Sequence, residues 1–122
     1  MTSVLVVEDD ESIRSFVCDA LADEGYRVTG AEDGAQALGA VEADPPAVVL
    51  LDMHMPAASG WDFARNARDR GLGVTIIVMT AAADPKVVGE IGAVALLAKP
   101  FTLDALLAVV SLHTGGFAPP VN

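Results

Sequence analysis

Short apolar, β-branched runs separated by segments of helical spacing constrain this chain more than any other feature. Val4-Leu5-Val6-Val7, Tyr26 to Thr29, Val48-Val49-Leu50-Leu51, Val74 to Met79 and Ala93 to Leu97 read as five strands, most of them apolar throughout. Between them, apolar residues recur every three to four positions. Ile13, Phe16, Val17, Ala20 and Leu21 mark a helix capped by Asp10 and ended by Gly25. Asp33 caps a second helix that carries Ala37, Leu38 and Val41 and runs to about Ala43. Ser59 precedes a third with Trp61, Phe63, Ala64 and Ala67, ending at Gly71; Pro85 opens a short fourth over Val87, Val88 and Ile91. Thr102 caps a fifth with Leu103, Leu106, Leu107 and Val110. Strands without polar alternation are covered on both faces, so the pattern predicts a parallel sheet between two helix layers, joined by right-handed crossovers. Trp61, Phe63 and Met79 are expected in the core. Met53 and Met55 are expected along the rim of whatever site the sheet carries.

Composition narrows the function classes. The chain has 122 residues, one domain's worth, and although 52% are hydrophobic, no apolar run approaches the roughly 20 residues of a membrane span. Cys18 is the single cysteine, which excludes an internal disulfide and suits a half-buried packing residue. A formal net charge of −10 argues against direct nucleic acid binding or attraction to a membrane surface. The expected location is cytoplasmic. The Gly115-to-Pro120 stretch reads as a disordered tail or the start of a linker, which leaves residues 1–113 as the domain and 114–122 as the tail.

The strand ends carry the chemistry. Strand one closes on Glu8-Asp9-Asp10, strand three on Asp52, strand four on Thr80, and strand five runs into Lys99. In a parallel sheet all of these lie at the carboxyl edge, where open α/β sheets bind their ligands. Converging carboxylates repel one another unless a cation sits among them, and oxygen-only ligands favour Mg²⁺ over Zn²⁺. Mg²⁺ takes one or two carboxylates plus a phosphate, which leaves room for an anion beside Lys99. An aspartate can itself attack phosphorus, and Asp52 lies centrally between Asp9 and Lys99, with the Thr80 hydroxyl as a hydrogen-bond donor.

These residues resemble the receiver domain of two-component response regulators. The likeness runs from the amino terminus to about His113 through Val6-Val7-Glu8-Asp9, Leu51-Asp52-Met53-His54-Met55-Pro56 with Gly60 beyond, Met79-Thr80-Ala81 and Lys99-Pro100-Phe101. It implies a flavodoxin-like (βα)5 three-layer sandwich with strand order 2-1-3-4-5. It further implies that Asp52 accepts the phosphoryl group, that Asp9 and Asp52 ligate Mg²⁺ with Glu8 acting through water, and that the His54 backbone carbonyl completes the ligands. Thr80 would bind the phosphoryl group and move with it, Lys99 would pair with a phosphoryl oxygen, and the Lys99-Pro100 bond would be cis. Asp10 falls on no ligand position and serves as a helix cap.

Leu96 stands where many members of the family carry an aromatic residue that swings inward when the threonine moves, and the fourth helix reads as short. Either the switch assigned to Thr80 and Leu96 uses smaller rearrangements of the last helix, strand and helix face, or the domain signals by another surface. The His54 side chain either reaches the phosphoryl group and influences attack by water, or faces solvent; His113 reads as an exposed helix-end residue. The partners implied are a sensor histidine kinase or phosphotransfer protein and a downstream protein target, with a homodimer through the last helix-strand-helix face as one route of output. Three rival readings differ in kind. A receiver-like interaction module that is never phosphorylated is compatible with Leu96. An aspartate-nucleophile hydrolase of the haloacid dehalogenase type wants an acid where His54 stands. A flavin-binding module wants a phosphate loop that strand one lacks.

Overall fold

A computed structural model describes residues 2–53, 60–81 and 86–114. In chain order the elements are β1 (Ser3–Val7), α1 (Glu11–Asp23), β2 (Arg27–Ala31), α2 (Gly34–Ala43), β3 (Val48–Asp52), α3 (Gly60–Asp69), β4 (Ile76–Thr80), α4 (Lys86–Ile91), β5 (Ala95–Ala98) and α5 (Leu103–His113). All five strands pair in parallel in the order β2-β1-β3-β4-β5. The expected architecture is therefore the observed one. No helix among the described residues is long and apolar enough to cross a membrane.

Strand alternation sorts the core into two layers. Leu5, Val7, Val49, Leu51 and Val78 point to one face and pack under Leu38 and Val41 of α2, Phe63 and Ala67 of α3, and Ile91 of α4. Val4, Val6, Leu50, Ile77 and Met79 point to the other and meet Val17 and Leu21 of α1 and Leu106 and Val110 of α5. β3 and β4 are buried at every residue, which is why their sequences show no polar alternation.

Helix termini follow the chemistry read from sequence. Asp10, Asp33 and Thr102 each accept a hydrogen bond from the backbone N–H three residues on, the cap geometry that satisfies a first-turn donor. Gly25 and Gly71 adopt φ of 95° and 70°, left-handed values suited to the residue just past a helix. Ser59 and Pro85 lie outside the described residues. Three strands begin later than periodicity suggested, at Arg27, Ile76 and Ala95. Tyr26 precedes its strand yet is buried, its hydroxyl 3.3 Å from Thr114 Oγ1. His113 is half-buried rather than exposed.

Three side chains are placed otherwise than the sequence pattern suggested. Trp61 is 36% exposed and Phe16 49%. In α3 the buried line runs Gly60, Phe63, Ala64, Ala67, and Trp61 is one residue, about 100°, off it. In α1 the buried pair is Val17 and Leu21, and Phe16 falls at the margin of their stripe. Met53 is a core residue rather than a rim one, 5% exposed and packed with the α2–α3 layer; Met55 lies outside the described residues. Cys18 is half-buried as expected, and burial pushes its thiol up, which disfavours the thiolate.

Candidate functional site at the carboxyl edge of the sheet

Register brings the strand ends together. Val7 pairs with Leu51, Asp52 with Met79, and Thr80 with Ala98, so Glu8, Asp52, Thr80 and Lys99 emerge at one edge. Beyond the strands the ladder continues: the Glu8 amide donates to the Ala31 carbonyl at 3.0 Å and the Lys99 amide to the Thr80 carbonyl at 2.9 Å. The side chains at this edge therefore start from a rigid backbone. The peptide between Lys99 and Pro100 is cis.

Three carboxylates meet here. Oxygens of Glu8, Asp9 and Asp52 all lie within 4.8 Å of one another. Glu8 and Asp52 are 1% and 3% exposed, whereas Asp9 is open to solvent. Lys99 reaches in from β5, its Nζ 2.5 Å from Glu8 Oε1 and 3.4 Å from Asp52 Oδ2. Thr80 is buried at the neighbouring strand end. His54 lies outside the described residues. Leu96 is half-buried on β5, paired with Val78. Asp10 is no part of the carboxylate cluster. Its side chain caps α1 and its amide donates to Glu8 Oε2 at 3.4 Å.

Electrostatics expose what the cluster lacks. Burial, followed by a hydrogen bond with Asp52, pushes the Glu8 carboxyl up from 4.5 to about 7, although Lys99 pulls the other way. Burial works against the Lys99 ammonium, but its hydrogen bond to Glu8 and the charge of Asp52 outweigh that, and its pKa lies above the ordinary value. Among the described residues the Lys99 ammonium is shared by two buried acids, Glu8 and Asp52. A hard divalent cation held by oxygen ligands fits this donor set, which contains neither nitrogen nor sulfur.

Two features of the site were missed in the sequence. Lys99 pairs with Glu8 more closely than with Asp52, and no spacing rule predicts that choice. Arg14, the only cation on α1, donates from Nη1 to the Glu8 carbonyl at 2.8 Å; a cation one turn into the helix that follows an acidic strand end was the available signal. Beside the carboxylates, Ile13, Phe16, Pro100 and Phe101 line an open cavity of about 420 Å³ that also touches Lys99 and Ala81.

Comparison with known proteins agrees with this geometry. The profile of the response regulator receiver domain matches residues 4–111. The chain is 39% identical over 108 residues to the response regulator MprA of Mycolicibacterium vanbaalenii, an alignment that covers 86% of this chain and 47% of that protein. It thus spans about half the length of the curated relatives it matches. Among solved structures, Vibrio cholerae chemotaxis protein CheY4 superposes with a TM-score of 0.86 at 32% identity, covering 92% of this chain and 98% of CheY4. The receiver domain of Francisella response regulator 1452 gives 0.86 at 26% identity over 94% of this chain and 98% of that one. With the profile matched over nearly its whole described length and the strand order and edge chemistry in agreement, this chain belongs to the receiver domains of two-component response regulators.

Proposed function

We propose that Asp52 accepts a phosphoryl group from a phosphohistidine on a sensor histidine kinase or phosphotransfer protein, in a Mg²⁺-dependent reaction. The observation that carries this reading is the meeting of a buried Asp52 with Glu8, Asp9 and Lys99 at one strand edge. An Asp52 oxygen attacks phosphorus; the O–P bond forms as the N–P bond breaks, and the electron pair stays on the donor imidazole. Lys99 balances charge on the phosphoryl oxygens and Thr80 donates a hydrogen bond. Asp9 and Asp52 would hold Mg²⁺ directly and Glu8, already tied to Lys99, through water. When bound, Mg²⁺ neutralises the charge that builds on the transferring group. The chain acts as a phosphoacceptor rather than a turnover catalyst.

Intact mass after incubation with acetyl phosphate tests the reading. One added phosphoryl group, absent without Mg²⁺ and absent in Asp52→Asn, is expected; no adduct, together with no stable beryllofluoride complex, would favour an interaction module that is never phosphorylated. An adduct that persisted in Asp52→Asn would assign another acid.

The pH dependence follows from Glu8. Its folded carboxyl, at about 7 against 4.5 in the unfolded chain, binds a proton more tightly folded than unfolded. The resulting stabilisation is complete below pH 4.5, declines above it and is lost as pH rises through about 7. Mg²⁺ must displace that proton, so it is expected to raise the thermal midpoint more at about pH 8 than at about pH 5.5. Equal increments at both values would show that Glu8 does not titrate in this range.

The donor protein must bring its phosphohistidine to Asp52, and the apolar cavity beside Lys99 offers it a seat. Phe16, half exposed with Ile13 and Phe101 around it, is the anchor expected there. Phe16→Ala should slow transfer from a phosphorylated kinase while leaving labelling by acetyl phosphate unchanged; equal slowing of both would place Phe16 in the fold instead. For output, a cytoplasmic protein target or a second copy would meet the α4–β5–α5 face, where Val94, Leu103 and Leu112 are exposed. Crosslinking before and after phosphorylation distinguishes the two. Thr80 and Leu96 are the residues proposed to relay the change.

A further inference from the structure

Glu8 and Asp9 supply two of the three clustered carboxylates, yet they stand just beyond the last residue of β1, where little of the ladder is left to hold the peptide between them. Two hydrogen bonds hold the Glu8 backbone. Its amide donates to Ala31 at 3.0 Å, and its carbonyl accepts from Arg14 Nη1 at 2.8 Å. The first is a continuation of the β1–β2 pairing. The second comes from a side chain that has to cross from α1 to the strand end, and β2 is shaped to let it pass: a Cβ on Gly30 would stand 3.3 Å from Arg14 Cδ and 3.5 Å from Cγ. Arg14 thus lies along a strand position with no side chain and ends on the peptide that joins the two acids.

We infer that Arg14 is a positioning residue for the metal site, holding the Glu8–Asp9 peptide so that both carboxylates face Asp52. The inference rests on the Mg²⁺ reading above and goes beyond it in naming a residue that touches no ligand oxygen. Partners one step removed from metal ligands typically change affinity by 10–100-fold when lost. The direction of the effect separates this role from simple charge. Arg14 is a cation near a cation site, so if it acted only through its field, removing it would tighten Mg²⁺ binding. If it acts by fixing the peptide, removing it weakens binding.

Calorimetric titration of the metal-free full chain with MgCl₂ makes the test, with thermal midpoints taken in EDTA. Arg14→Met keeps most of the aliphatic stem and loses the donor; Mg²⁺ affinity is expected to fall about 10-fold or more, with Arg14→Lys, which keeps the charge but not the forked donor, falling between native and Met. Gly30→Val supplies an independent variant. A β-branched residue suits an exposed strand position, but its side chain presses on the Arg14 stem and on Cys18 Sγ, which a Cβ at Gly30 would already meet at 3.5 Å; affinity should again fall, and the midpoint in EDTA reads any cost to the fold. Unchanged or tighter binding in both Arg14→Met and Gly30→Val would overturn the inference, as would a lowered thermal midpoint with native affinity. If Arg14→Met fails to fold, Gly30→Val and Arg14→Lys decide by the same criterion. A native chain that bound no Mg²⁺ would overturn the metal reading and this inference together; native binding with unaffected variants overturns this inference alone.

Discussion

Lys99→Met is expected to lower the rate of labelling by acetyl phosphate about 100-fold or more while tightening Mg²⁺ binding. The split arises because Lys99 acts on two partners of opposite need. Its ammonium pairs with Glu8 at 2.5 Å and Asp52 at 3.4 Å, oxygens of the same carboxylates that a cation would take. Removing it frees those oxygens. In the proposed transfer, however, the same ammonium would face the charge spread over the phosphoryl oxygens, and loss of one such preorganised donor typically costs 10²–10³-fold. Met keeps the apolar stem in place, so packing changes little. Breaking a buried ion pair often costs roughly 3–5 kcal/mol, but here Glu8, already raised to about 7, takes a proton instead and limits the loss. Stopped-flow fluorescence or mass spectrometry against time gives the rate, and calorimetry the affinity. Undiminished labelling would remove Lys99 from the chemistry.

Gly60→Ala is expected to destabilise the protein by roughly 1–3 kcal/mol and to slow phosphorylation as well. A Cβ there would lie 2.7 Å from Met53 Sδ and 2.9 Å from the Asp52 carbonyl oxygen. The methionine sulfur can swing aside, though only into a core layer where Met53 is 5% exposed. The carbonyl cannot move without moving the end of β3, and that is the residue proposed to attack phosphorus. One methyl group therefore presses on the fold and on the nucleophile together. Urea unfolding monitored by circular dichroism reports the first effect and the labelling rate the second. Native values for both would mean that α3 shifts to accept the methyl without disturbing Asp52.

Two kinds of information were legible at very different ranges. The caps Asp10, Asp33 and Thr102 and the ends at Gly25 and Gly71 depend on interactions within a few residues, and each stands where it was expected, whereas the strands were found in order but three of them start one or two residues late. The resemblance added the strand order and the cis peptide, which periodicity does not contain. Phe16 and Trp61 show where local pattern stops: both sit beside a buried stripe, and whether a margin residue is covered depends on how far the neighbouring layer extends.

By itself, then, the sequence determined that a parallel sheet would form and that acids, a threonine and a lysine would stand at its strand ends, because alternation, capping and strand-end placement are properties of short stretches of chain. Tertiary structure alone decided that Lys99 turns first to Glu8, that Arg14 passes over Gly30 to hold the Glu8 carbonyl, and that Gly60 must lack a side chain beside Asp52. Each of these joins residues on different elements, at distances set by sheet register and helix packing, and no local period encodes them.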